Sequence, residues 1–281
     1  MPFEADFECA VPAAPLMAAL SKYNTTELEM TVEGGELRLK SGRKKNGIKI
    51  HKDITIPLDA LQPPEEYKPV HPDFPSALGL TCSSCGKNAS EYIMTCVHIT
   101  DEVVEACDRF QITQYNLKAG MGEFLIPGVS AKLLSNVKMT KAGLSNSWFY
   151  CLTDEGVTYA CRTYKEQYPN IHDIINKNGV AIDFPTSLID TLNSAAVFTD
   201  SGISDGVVQI VVKDGVLTVS SKNNDGWFEE ATDEVDCADI MFVINPKFFA
   251  TLLTHGSSCK ASDNMLVVEN EYYTHIACLQ K

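Results

Sequence analysis

Cys82-Ser-Ser-Cys85 is the local arrangement in this chain best suited to chemistry. A structural zinc ion takes four Cys or His ligands, so this pair needs two more, and no second close cysteine pair is present. Cys96 and His98 are candidates. Strand alternation would put both on one face, but only the fold could bring them to the pair. A thioredoxin-like role asks for a cysteine at a helix start, where a thiolate is stabilised. This pair falls near a helix end, so buried structural thiols are the plainer reading for most of the ten cysteines. His51, His71, His98, His172, His255 and His275 form no H-x-x-x-H or H-E-x-x-H pattern. The acidic clusters Asp101-Glu102, Glu229-Glu230 and Asp233-Glu234-Val-Asp236 lie in turns or beside strands without histidines, and read as solvated surface. Asp108, just after the apolar run Val103–Ala106, is the best-placed single carboxylate. Asn116–Gly122 lacks the G-x-x-x-x-G-K-[ST] order of a phosphate loop. Trp148, Phe149 and Trp227 read as core or rim aromatics. No catalytic residue, metal site or cofactor is expected.

The whole chain bounds the rest. Its 281 residues allow about two domains with a sizeable core. At 44% apolar and 21% charged, the composition is that of an ordinary globule. No stretch approaches the roughly 20 apolar residues that span a bilayer, so no membrane partner is expected. Met1-Pro-Phe-Glu-Ala-Asp-Phe-Glu8 is acidic and lacks the basic start of an export signal, which suggests reduced thiols in a cytoplasmic setting. A formal charge of −14 argues against a generally basic, nucleic-acid-gripping surface but leaves room for a local positive face.

The elements that must position any site follow a repeating pattern. An apolar residue, a proline and a helically spaced run recur at Pro12, Pro75, Pro127, Pro185 and Pro246, 63, 52, 58 and 61 positions apart. Proline is tolerated at the first position of a helix because its missing N–H would be unpaired there. Such a period points to stacked copies of one supersecondary module, and hence to a scaffold rather than one catalytic pocket. Helices are expected over Pro12–Tyr23, Phe74–Cys85, Val129–Lys141, Thr186–Ala196 and Pro246–His255. In the third, Val129, Leu133, Leu134 and Val137 should form the buried face. Strands are expected at Glu27–Val32, Glu36–Lys40, Ile48–Ile50, Ile54–Ile56, Ile93–Ile99, Val103–Ala106, Phe110–Leu117, Gly122–Ile126, Trp148–Leu152 and Val157–Arg162. Further strands are Val207–Val212 and Val216–Ser220, joined by an Asp214-Gly215 hairpin turn, then Trp227–Thr232, Ile240–Ile244, Met265–Glu269 and Tyr272–Cys278. Each module is one helix with three or four antiparallel strands, an α+β fold in which neighbours share a sheet and layer their helices. The segment Gln62–Pro69 is the best linker. The expected domains are 1–70 (one module), 71–177 and 178–281.

Read in order, these segments resemble the bacterial-type DNA sliding clamps. Val103–Ile112 resembles the family's A-T-D-G-H-R-L turn, and Gly122–Leu134 its strand and I-P-x-x-x-L helix. Arg162–Ile171 resembles R-L-I-x-G-x-F-P-D-Y. Asp183–Asn224, with V-x-D-G-V-L-T-V-S-S-x-N-N, resembles the opening of the last domain, and Asp239–Leu253 the strand and helix that follow. The likeness is good over residues 70–281, while residues 9–61 match only the second half of the family's first domain. The family has six modules and this chain five, so either the start is truncated or the ring closes differently.

The resemblance implies a DNA clamp fold and no covalent chemistry. A self-associated ring, as a homodimer, encloses duplex DNA without regard to sequence and tethers a DNA polymerase, with a clamp loader as second partner, in the cytoplasm of a bacterial or phage-infected cell. It implies that helices line the hole, so DNA-facing cations would be Lys22, Lys87, Lys132, Lys138, Lys141, Lys247 and Lys260, on or near helix ends. It also implies a pocket for a partner's linear peptide between the last two domains. The matching positions are Cys107, Arg109, Ile112, Asn176, Val180, Ala277, Cys278 and Leu279. Arg109 replaces the family's Gly, which would obstruct the pocket or favour a more acidic peptide. Two rivals stand beside this reading: a clamp-like scaffold or binding protein that does not encircle DNA, and a small metallo-hydrolase using Cys82, Cys85 and nearby acids.

Overall fold

A computed structural model describes residues 6–25, 27–52, 61–172, 174–175, 178–199, 206–254, 258–262 and 264–279. The chain forms two compact units, Met1–Leu61 and Gln62–Lys281.

In the first unit, helix α1 (Ala13–Leu20) follows Pro12. Strands β1 (Glu29–Glu33), β2 (Glu36–Ser41) and β3 (Lys44–Lys49) form an antiparallel sheet in that order. Leu37, Leu39 and Ile48 are its buried core, with Leu16, Leu20 and Tyr23 packed against them. The strand expected at Ile48–Ile50 starts earlier and ends at Lys49. The one expected at Ile54–Ile56 lies outside the described residues.

The second unit contains the same plan twice. A short edge strand precedes a helix, four strands, a second helix and three strands. The first copy comprises β4 (Lys68–Pro69), α2 (Phe74–Thr81), β5 (Cys96–Ile99), β6 (Val103–Cys107), β7 (Gln111–Asn116), β8 (Phe124–Pro127), α3 (Gly128–Leu134), β9 (Met139–Ser145), β10 (Trp148–Thr153) and β11 (Thr158–Arg162). The second comprises β12 (Val180–Ile182), α4 (Leu188–Ala195), β13 (Val208–Lys213), β14 (Val216–Lys222), β15 (Trp227–Glu234), β16 (Ile240–Ile244), α5 (Pro246–Thr254), β17 (Ser258–Ala261), β18 (Met265–Glu269) and β19 (Tyr273–Cys278).

Sheet order repeats with the elements. β7-β6-β5-β8 has the order of β15-β14-β13-β16, and β11-β10-β9-β4 that of β19-β18-β17-β12. The two copies fuse where β19 pairs antiparallel with β7, making one eight-stranded sheet, β12-β17-β18-β19-β7-β6-β5-β8. Helix α2 packs on α3 and α4 on α5, over a shared apolar core. Aromatic rings anchor both copies. Phe149 lies 6.0 Å from Phe74 and 5.7 Å from Phe124, while Phe249 lies 5.7 Å from Phe184 and 5.8 Å from Phe242. Full burial of each such ring contributes about 1.5–3 kcal/mol.

Local chemistry sets several boundaries. At Asp214-Gly215 both residues have positive φ, +50° and +80°, as a tight hairpin turn matched to strand twist demands. Asn245 starts α5, its Oδ1 accepting the Phe248 N–H at 2.8 Å. The third helix differs from expectation. It stops at Leu134 because Ser135 Oγ and Asn136 Nδ2 both donate back to the Lys132 carbonyl, and β9 begins at Met139. Its buried face is Gly128, Ala131 and Leu134, whereas Val129 and Leu133 are 75% and 73% exposed. Residues expected to open a strand at Ile93 instead form a 3-10 segment over Ala89–Thr95, and the strand starts at Cys96. Strands β4, β9, β12 and β17 were not expected.

Candidate nucleic-acid and partner interface

The candidate DNA-facing lysines occupy three kinds of position. Lys132 is exposed in the last turn of α3 and Lys247 at the start of α5. Lys22, Lys87 and Lys138 are exposed in loops beside helices. Lys141 is exposed but belongs to strand β9, where it sits opposite Leu152, so its placement by the helix is corrected. Lys260 is corrected likewise. It lies on β17, and its Nζ is 2.6 Å from Glu269 Oε1, a partly buried ion pair that holds its charge within the sheet. The other six have no ion-pair partner among the described residues.

The turn after β6 is ordered by Asp108. Its Oδ1 accepts the N–H groups of Phe110 at 2.7 Å and Gln111 at 2.8 Å, and its Oδ2 accepts from Gln111 Nε2 at 3.2 Å. This carboxylate therefore shapes the turn, as the resemblance implies, rather than standing free. Arg109 projects from the turn and pairs with Glu91. The end of β19 is fastened to the same turn, with Cys278 N–H donating to the Phe110 carbonyl at 2.7 Å.

Of the candidate pocket residues, Arg109, Ala277, Cys278 and Leu279 line one cavity of about 1230 Å³. Val180 lines a separate cavity of about 490 Å³ against β13 and β16, and Leu279 borders both. Cys107 and Ile112 do not reach either space. They belong to a buried cluster beneath, in which Cys107 N–H donates to the Tyr168 hydroxyl at 2.9 Å and Ile112 sits opposite Ile276. Asn176 lies outside the described residues. The large cavity also takes in Lys87, Lys132 and Lys247, so residues assigned to two different surfaces share one wall. Sequence reading missed its apolar lining, which includes Leu80, Met94 and Phe248. Half-buried Leu80 on α2 and buried Phe248 on α5 were the signal, and they are indistinguishable from core positions without the fold.

The buried thiols near the Cys82–Cys85 turn are poor nucleophiles. Burial pushes Cys85 well above the ordinary thiol range and raises Cys96 and Cys107 as well. His98 cannot complete a ligand set with Cys82 and Cys85 as it stands: its Nδ1 is 2.8 Å from Glu105 Oε1 and its Nε2 3.1 Å from Glu123 Oε1. Burial opposes charge on this imidazole, but the hydrogen bonds and charges of Glu105 and Glu123 outweigh it and raise its pKa. His98 also stacks on Tyr168 at 4.8 Å, and Glu105 Oε2 accepts from Gln114 Nε2 at 2.8 Å. This network fastens the segment after β11 to the sheet face away from the helices.

Comparison with known proteins places the architecture. No family model and no curated protein matches the sequence. Among solved structures, the DNA polymerase sliding clamp from Bacillus subtilis superposes with a TM-score of 0.68 at 14% identity, over 99% of this chain and 83% of its own. The DNA polymerase III beta subunit from Thermotoga maritima gives 0.67 at 16% identity, over 96% and 80%. The beta subunit from Pseudomonas aeruginosa gives 0.66 at 14%, over 96% and 81%. The likeness is one of structure at distant sequence, and the chain has the fold of the bacterial sliding clamps.

Proposed function

We propose that this chain is a non-catalytic sliding clamp: several copies, most simply two, close a ring around duplex DNA and hold a DNA polymerase there. The supporting observation is the superposition on a sliding clamp over nearly the whole chain, together with the plan of helix, four strands, helix and three strands that occurs twice in the second unit. Domains at 1–70, 71–177 and 178–281 follow from that reading. Tethering makes each new encounter of polymerase and template effectively intramolecular, which is the source of processivity. The exposed lysines on or beside helices, Lys22, Lys87, Lys132, Lys138 and Lys247, which have no ion-pair partner among the described residues, would touch phosphates loosely. Such contacts carry no sequence information and permit sliding. Acidic surface elsewhere would keep DNA from unproductive contacts. Polymerase and clamp loader would attach through peptides at the cavities near Arg109, Val180 and Leu279.

The exposed Val129 and Leu133 beside Lys132 favour a second reading, a clamp-like scaffold that binds partners without encircling DNA. Solution mass combined with retention on nicked circular and linear DNA separates the two. A clamp, once loaded, stays on the circle and runs off the free end. Equal retention on both, or a strict monomer, removes the clamp reading.

A further inference from the structure

We propose that His98 is a proton-operated clip on strand β8: with both ring nitrogens protonated it holds Glu123 against the sheet, and on losing one proton it keeps Glu105 and releases Glu123 to water. Its position gives the clip something to act on. β8 is the edge strand of the eight-stranded sheet, Glu123 immediately precedes it and α3 follows it. Leu125 of β8 also exchanges two backbone hydrogen bonds of 2.9 Å with Tyr164, in the segment that leads from the first copy of the repeat to the second.

The geometry calls for the imidazolium. His98 on β5 is 8% exposed, and each ring nitrogen meets a different carboxylate: Nδ1 that of Glu105 on β6 at 2.8 Å, Nε2 that of Glu123 at 3.1 Å. A neutral imidazole has one N–H and one lone pair, so it serves one acceptor, whereas the charged ring serves both. The two carboxylates are unequal. Glu105 is 2% exposed and also accepts from Gln114 Nε2 at 2.8 Å; turned away from His98 it would be a buried charge short of a partner. The Glu123 side chain is 72% exposed and turns into water at little cost. Loss of the proton therefore frees Glu123. The other groups around the ring do not compete. Tyr168 stacks on it at 4.8 Å, and burial raises the pKa of that hydroxyl, so it stays neutral. His172 reaches the network through Gln114 Nε2, 3.4 Å from its Nδ1. Burial disfavours charge on His98, but the two carboxylates outweigh it, so the clip opens above the ordinary imidazole range of about 6.5.

NMR of the full chain from pH 5 to pH 10 tests this, reading the His98 ring nitrogens together with the backbone amides of Glu123, Phe124 and Leu125. Below the midpoint both ring nitrogens should carry protons, and above it Nδ1 alone. The three amides should shift with the same midpoint as the ring. Glu123→Gln should lower that midpoint by about half a pH unit or more. It should also remove most of the amide response, because a glutamine side chain accepts from the charged ring and donates to the neutral one. His172→Gln should change neither readout. A ring that stays singly or doubly protonated throughout, amides that do not follow it, or a midpoint unmoved in Glu123→Gln overturns the inference and leaves the clamp reading intact.

Discussion

Thr113 and His275 face each other across the β7–β19 strand pairing that joins the two copies of the repeat. Thr113 Oγ1 lies 2.8 Å from His275 Nδ1, in register between β7 and β19. On its other side Thr113 Oγ1 is 2.5 Å from Ser84 Oγ, so the turn after α2, the first copy's sheet and the chain's last strand are linked by one buried line of side chains. His275 is fully buried, with Phe248 packed edge-on at 4.9 Å.

Acid should loosen this seam. Burial holds the His275 pKa down at about 3, against about 6.5 when unfolded. Between those values the unfolded chain binds the proton and the folded chain does not, so stability falls as pH falls through that window. From pH 6 to pH 4 this one group should cost about 2–3 kcal/mol. Urea unfolding of wild type and His275→Gln at both pH values checks it: the variant should be less stable at pH 6 and should lose correspondingly less on acidification.

His98 should act with the opposite sign. Its pKa is raised in the folded chain, so its contribution is fully present below the unfolded value and is lost as pH rises through the folded one. Glu105→Gln removes the closest partner and should destabilise by about 1–3 kcal/mol at pH 6, with a smaller difference at pH 9. NMR titration of the imidazole should show its pKa moving down in the variant.

These two histidines mark how far the sequence could be read. Strands with strong alternation, such as Val208–Lys213 and Val216–Lys222, and the hairpin turn between them were visible from residue type alone. The order of proline-headed helices carried the fold likeness. What stayed hidden depended on close approach. In α3 the large apolar residues Val129 and Leu133 suggested the buried face, yet the helix sits so near its neighbours that small Gly128 and Ala131 are needed there instead. β17 has only Cys259 and Ala261 pointing inward, too little apolar signal to announce a strand. The candidate site was legible as a neighbourhood through the Asp108 turn and the chain's last residues. Its division into two cavities and its link to three lysines arise from packing between segments far apart in sequence.

The close approach at α3 is itself testable. A Cβ on Gly128 would lie 2.9 Å from Cys85 Sγ and 3.0 Å from the Thr95 carbonyl oxygen, neither a flexible side-chain tip. Gly128→Ala gains helix propensity worth under about 1 kcal/mol, but overpacking costs about 1–3 kcal/mol. The net effect should be a lower urea midpoint with an unchanged slope. A variant as stable as wild type would mean that α3 stands farther from Cys85 than described.

Salt dependence gives the sharpest view of how the lysines are used. Each lysine that neutralises a phosphate releases counterions, so the slope of log affinity against log salt should shrink in magnitude by about 0.9 for each one lost. Lys138→Gln should therefore weaken duplex binding uniformly across sequences and flatten the slope by about 0.9. Lys260→Gln serves as the contrast, since its ammonium is 2.6 Å from Glu269 Oε1 and is already neutralised within the sheet. It should leave the slope unchanged, at a stability cost measurable by urea. If Lys260 moves the slope and Lys138 does not, DNA lies against the strand face of β17 rather than beside α3, and the helix-lined path is wrong.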